Sequence, residues 1–282
     1  MKTKNSFIFI TAVVCAVLML CGAFLMFFGI SRDFDITLGY FAKGSVFAGF
    51  LYAVLALGAC GGVACYVKHR KTHIDAPLPD GSAGAVLSCL FAVGVIFFTA
   101  LDIADLTLSA PTQYATISYI SWILAIPTAA GAILRTLTGT NAPTGALSVT
   151  GFFTPLYFAS LILIDYFDHS QAINSPVKII YQITLISFML MFTAEEGLLL
   201  GRKQLYPRYL FTLCCSTVIG GIFGLGGIAL CAMGVPSPVS VEAALLCFCT
   251  AVYGAGRLCC AGLTPAVKDE ENSAGISDGE EA

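Results

Sequence analysis

Asp102, Asp105, Ser121, Thr128, Arg135, Glu195 and Glu196 stand inside otherwise apolar sequence, and they carry the chemistry this chain could do. A charged group in hydrocarbon costs about 2.5–3.5 kcal/mol on insertion scales, so it turns toward the protein interior and finds a partner or serves a pathway. Asp102 and Asp105 are three positions apart, which puts them on one helical face with Thr99. Two carboxylates held together could share a proton or hold a cation. The alternative is that the helix ends there and water wets both. Glu195 and Glu196 are adjacent, so they point about 100° apart and a straight helix cannot offer both to one site. At most one of them is expected to face the bundle core, and Arg202 and Lys203, within two turns, either pair with one of the glutamates or leave the side chains to reach the interface.

Hydroxyls extend the pattern. Tyr114, Ser118, Ser121, Thr128 and Arg135 recur on one helical face, and Pro127 removes a backbone hydrogen bond in mid-span. Thr150, Thr154, Tyr157 and Asp165 repeat the idea beside Pro155. Such hydroxyls either bond to backbone carbonyls and pack, or line a hydrated midplane cavity between helices interrupted by proline. On the second reading Asp102 and Asp105 stand at the cavity's outer mouth, Ser121 and Thr128 at mid-depth, and Glu196 with Arg135 nearer the inside.

Positioning these residues requires membrane helices. Of 282 residues, 57% are hydrophobic and 11% charged, against roughly 25% charged in soluble domains. A helix needs about 20 apolar residues to cross a bilayer and must satisfy its own backbone amides there. Eight stretches qualify, over about 7–30, 42–67, 83–108, 114–137, 147–166, 177–200, 208–233 and 239–262. The predicted fold is therefore all-α, a single bundle over 1–263 with no soluble domain. An acidic tail, 264–282, carries Asp269, Glu270, Glu271, Asp278, Glu280 and Glu281 and is expected to be solvated and disordered. The first apolar run is too long for a signal-peptide core, so it reads as a retained span. The third to sixth spans carry the polar groups, while the first, second, seventh and eighth read as mainly apolar scaffold.

The basic residues alternate between links. Lys2, Lys4, Lys68, Arg70, Lys71, Arg135, Arg202, Lys203, Arg208, Arg257 and Lys268 fall on one side, and Arg32, Lys43 and Lys178 on the other. That asymmetry of 11 against 3 predicts both termini in the cytoplasm.

Other chemistries find no support. The twelve Cys all lie within apolar stretches or at their ends, which fits packing rather than disulfides or a metal site. His69, His73 and His169 lie in links, so no span offers a histidine to haem or zinc. No metal or cofactor is expected. Glu195-Glu196 is similar to the start of the Glu-Glu-x-x-x-Arg motif of intramembrane CAAX-type proteases, but Leu200 occupies the Arg position. Serine-elbow, P-loop and His-Glu-x-x-His motifs are missing, so no catalytic residue is assigned. Without a basic face, a nucleic-acid partner is excluded.

Gly58 with Gly62, and Gly220 with Gly224, have the four-residue spacing that lets membrane helices approach closely. They could pack within the chain or form the face of a homo- or hetero-oligomer. The segment NSPVKIIYQITLISFMLMFTAEEGLLLGR, 174–202, resembles multi-pass membrane proteins of Gram-positive bacteria that have no assigned activity. The resemblance implies a bacterial cytoplasmic membrane protein and transfers no function. Within the segment, Asn174 or Ser175 can cap a helix whose first turn holds Pro176. The expected function is transport of a small solute, or a membrane component of a transport system. The rival is a sensor, scaffold or partner subunit that transports nothing.

Overall fold

The computed structural model describes residues 6–70, 82–108, 115–138, 144–168, 172 and 174–263. The acidic tail and the link between the third and fourth spans, 109–114 with Tyr114, lie outside them. Among the described residues, eight helices are long and apolar enough to cross a membrane. The chain is an all-α bundle and an integral, multi-pass membrane protein.

The first six spans are single helices: α1 (Ser6–Asp33), α2 (Val46–Lys68), α3 (Ser82–Leu108), α4 (Ala115–Thr138), α5 (Thr144–Phe167) and α6 (Pro176–Leu199). The seventh is composite. A 3-10 turn, Lys203–Leu205, leads into α7 (Tyr206–Cys215), a π-helical segment, Ser216–Gly220, and α8 (Gly221–Ala232). The last span is α9 (Val241–Leu263). The seventh span was expected to be one regular helix. Its π segment adds a residue per turn and lets the facing groups of α7 and α8 meet different neighbours; such insertions concentrate at functional sites.

The seventh span is the axis of the bundle, with 83% of its apolar window buried. α7 packs on α2, α6 and α9, and α8 packs on α1 and α9. Around it, α3 lies between α4 and α9, and α5 lies between α4 and α6. The outer faces are lipid-like: Val86, Ile123 and Ile126 are each more than two-thirds exposed. Water would not tolerate so much contiguous apolar surface.

The four glycines singled out by spacing all face helices of the same chain. A Cβ on Gly58 would meet Val218, and one on Gly62 would meet Phe211, so α2 presses onto the seventh span. Gly220 faces the Phe188 ring, and Gly224 faces the backbone of Phe248. These close approaches account for the small residues without a second chain.

The link after α1 contains an unexpected β-hairpin, β1 (Phe34–Asp35) and β2 (Tyr40–Phe41), with Phe34 opposite Phe41 and Asp35 opposite Tyr40. Asp35 organises its turn: its Oδ1 accepts from the amides of Thr37 and Leu38 and from the Thr37 hydroxyl, at 2.9, 3.2 and 2.6 Å. Gly39 supplies the positive φ of +76° that closes the turn. Ser45 then caps α2, accepting from the Ala48 amide and donating to Asp33. That cap is why α2 begins at Val46 and not at the predicted 42.

The three hydrogen bonds hold the Asp35 carboxyl below its ordinary value of 3.8, the Thr37 hydroxyl contributing most. A depressed carboxylate stabilises the turn above its unfolded pKa, and that contribution is lost as pH falls through the lower folded value. The turn should therefore loosen only below about pH 3.8, and Asp35→Asn should loosen it at neutral pH. Hydrogen exchange at the Thr37 and Leu38 amides reads this directly. Unchanged protection in Asp35→Asn would remove the carboxylate from the account.

Candidate functional site

Two polar centres lie at opposite ends of α6 and α9. Glu195 and Glu196 lie in the last turn and a half of α6, Arg135 in the last turn of α4, and Tyr253 and Arg257 one turn apart on α9. The Glu195 Oε1 atom accepts from the Tyr253 hydroxyl at 2.6 Å and from Arg135 Nη1 at 3.1 Å. Arg257 Nη2 stands 3.3 Å from the same oxygen. Arg257 Nε donates to the Tyr253 hydroxyl at 3.1 Å, and its guanidinium lies 5.2 Å from the Tyr253 ring centre. The second terminal nitrogen of Arg135 bonds Glu196 Oε1. Two guanidiniums and two carboxylates thus balance, and the phenol donates to one while accepting from the other.

Both glutamates are buried, Glu195 to 1% and Glu196 to 8% exposure. The expectation that only one could serve the core is therefore overturned. Adjacent side chains do leave the helix in different directions, but Arg135 approaches between them and its planar fork bonds one carboxylate with each terminal nitrogen. Gly151 on α5 completes the slot, since a Cβ there would overlap the Glu196 carboxylate. The glutamates take partners from elsewhere in the sequence. Arg135 and Arg257 come from distant α4 and α9, whereas Arg202 is exposed beyond the end of α6.

At the opposite end a cavity of about 330 Å³ opens between α3, α5, α6, α8 and α9. Asp102, Asp165, Asp168 and Glu242 line it, with the single amine of Lys178. Trp122 Nε1 donates to Asp102 at 2.6 Å, and Gln182 Nε2 donates to Asp165 at 2.7 Å. The Lys178 amine bonds the backbone carbonyl of Asp168. The Trp122 and Gln182 contacts hold the Asp102 and Asp165 carboxylates in place while leaving each with acceptor capacity.

Between the two centres lies an aromatic layer. Phe91, Phe158, Phe188, Phe192 and Tyr253 are all buried, with neighbouring ring centres 4.8–6.4 Å apart. The layering repeats on each helix. α3 reads Ser88, Phe91, Asp102; α5 reads Gly151, Phe158, Asp165; α6 reads Lys178, Phe188, Glu195; α9 reads Glu242, Tyr253, Arg257. At 1.5 Å rise per residue, the 17 positions from Lys178 to Glu195 separate the centres by about 25 Å.

The sequence-predicted residues divide accordingly. Asp102 lines the cavity, and Arg135, Glu195 and Glu196 form the buried network. Thr128 borders a small internal gap beside Arg135 and Tyr253, while its hydroxyl bonds the Leu124 carbonyl at 2.8 Å. Ser121 is buried but bonds the Ser118 carbonyl, so it packs rather than lining the cavity. Asp105 is exposed and outside the cavity. A single cavity lined by the third to sixth spans was expected. Instead, the cavity takes walls from the third, fifth and sixth spans and from the two that were assigned to scaffold.

Arg257, Tyr253 and Glu242 were missed. The available signal was Arg257 itself, a charge inside a predicted span that had been counted only toward orientation. No family model, curated protein or solved structure matches this chain.

Proposed function

We propose that the protein moves a small solute across a bacterial cytoplasmic membrane, with both termini in the cytoplasm and the acidic cavity facing out. The observation that carries the reading is the pair of polar centres at opposite ends of α6 and α9, with the aromatic layer between them. Alternating access needs a solvent-reaching cavity on one side and a closed, reversible polar contact on the other. The Arg135–Glu195–Glu196–Arg257 network suits the closed side, because helices held by ion pairs separate without exposing apolar surface to water. Four carboxylates against one amine favour a cationic or amine-bearing solute in the cavity.

Orientation follows from the basic asymmetry, and it survives a stricter count. Arg135, Arg257 and Lys178 are held in the interior, and without them nine basic residues stand against two. The bacterial assignment rests on the resemblance of 174–202. There, Ser175 ends the link and Pro176 opens α6 as expected, although the Ser175 hydroxyl makes no capping bond.

Proteoliposomes test the reading with methylammonium, Na⁺ and K⁺ as probes. Flux of at least one is expected, and Asp102→Asn/Asp165→Asn should weaken its apparent affinity about tenfold or more, the equivalent of about 1.4 kcal/mol. Absence of flux for all three, or flux indifferent to the double substitution, would favour a sensor or scaffold instead.

A further inference from the structure

A second cavity lies at the opposite end of the bundle from the acidic one. It holds about 280 Å³ between the end of α2 and the start of α7, lined by Tyr66, Arg70, Gln204, Leu205, Pro207 and Arg208. Among the described residues the lining contains two guanidiniums and no carboxylate. Among the described residues neither Arg70 nor Arg208 has an ion-pair partner. That contrasts with Arg135 and Arg257, which the fold neutralises with glutamates. Two cations in one concavity repel each other, and an anion between them relieves the repulsion.

The approach to this cavity is apolar. Val63 and Val67, on the flank of α2 that leads to Tyr66 and Arg70, are 50% and 64% exposed. In an integral membrane protein that flank faces acyl chains. The geometry points to a phosphate-bearing anion, and we propose that it is the headgroup of an anionic phospholipid. Its phosphodiester sits between Arg70 and Arg208, Tyr66 and Gln204 supply polar contacts, and an acyl chain lies along Val63 and Val67. Arginine suits this task because its fork matches phosphate oxygens two at a time. Basic pockets between spans at the cytoplasmic interface are where such headgroups are held. The site would tether the axial seventh span to the second at the lipid boundary.

Thermal unfolding of the full chain in nonionic detergent tests this, with added phosphatidylglycerol, phosphatidylcholine of the same acyl chains, or inorganic phosphate. Phosphatidylglycerol is expected to stabilise the protein and phosphatidylcholine to leave it unchanged. In Arg70→Gln/Arg208→Gln the half-saturating phosphatidylglycerol concentration should rise about thirtyfold, or about 2 kcal/mol for the two charges. Arg202→Gln, which removes an exposed charge outside the cavity, should keep the wild-type response. Arg70→Lys/Arg208→Lys should keep part of it and guards against misfolding of the first variant. Stabilisation by inorganic phosphate that disappears in the Gln pair would uphold the anion site and assign it to free phosphate. Equal responses of wild type and both pairs to phosphatidylglycerol, or equal responses to the two lipids, would overturn the proposal.

Discussion

Glu195→Gln should lower the stability of the folded protein by about 3–5 kcal/mol, the cost of breaking a buried ion pair by removing one partner. Glu196→Gln should cost about 1–3 kcal/mol, the range for a single lost polar partner. The two residues are neighbours of identical type, so a sequence rule would rank them together. The contacts rank them apart. Arg135, Arg257 and Tyr253 converge on one oxygen of Glu195, while among the described residues Glu196 binds Arg135 alone. Glutamine keeps the shape of the glutamate but loses the charge that strengthens all three contacts. Replacing a whole buried network with apolar groups is often neutral or stabilising. Arg135→Met/Glu195→Met/Glu196→Met/Arg257→Met, which removes all four charges, should therefore be less damaging than Glu195→Gln alone. Unfolding in mixed micelles gives the order. Equal losses for the two single Gln variants would mean that the network is not built around Glu195.

Gly224→Ala should be the most damaging of the glycine substitutions, at about 1–3 kcal/mol or more for overpacking. Its Cβ would stand 2.5 Å from the Phe248 nitrogen and 2.7 Å from the Phe248 Cα. Backbone cannot rotate aside, so α8 and α9 must separate. Gly220→Ala meets the Phe188 ring at 2.4 Å, and a ring can shift, so it should cost less. Gly61→Ala meets nothing within 4 Å and should be near neutral, or stabilising by up to about 1 kcal/mol through helix propensity. The same unfolding series reads all three. A large loss in Gly61→Ala would place another chain against that face, and the Gly-rich second span would then be an oligomer contact after all.

The number of spans, their approximate limits and the polar character of the third to sixth were legible in the sequence. Hydrocarbon demands long apolar helices whose backbones are satisfied internally, so composition along the chain maps onto membrane crossings almost directly. The need of Arg135 and Glu195 for partners was legible too, since an intramembrane charge without one is too costly to keep. Which partners they take was not. Arg135 meets Glu195 across 60 positions, and Arg257 meets Glu195 across 62; no local period encodes such pairings. The convergence of two adjacent glutamates depends on an arginine entering from a third helix, and the slot for Glu196 depends on a glycine in a fourth. Asp102 and Asp105 share a face by spacing, yet only the packing of α3 against α9 turns one toward the cavity and leaves the other exposed. The sequence by itself determined a membrane bundle with buried charges. Only the tertiary structure decided which charges neutralise one another, because contacts across helices depend on rotation and depth, which apolar composition leaves free.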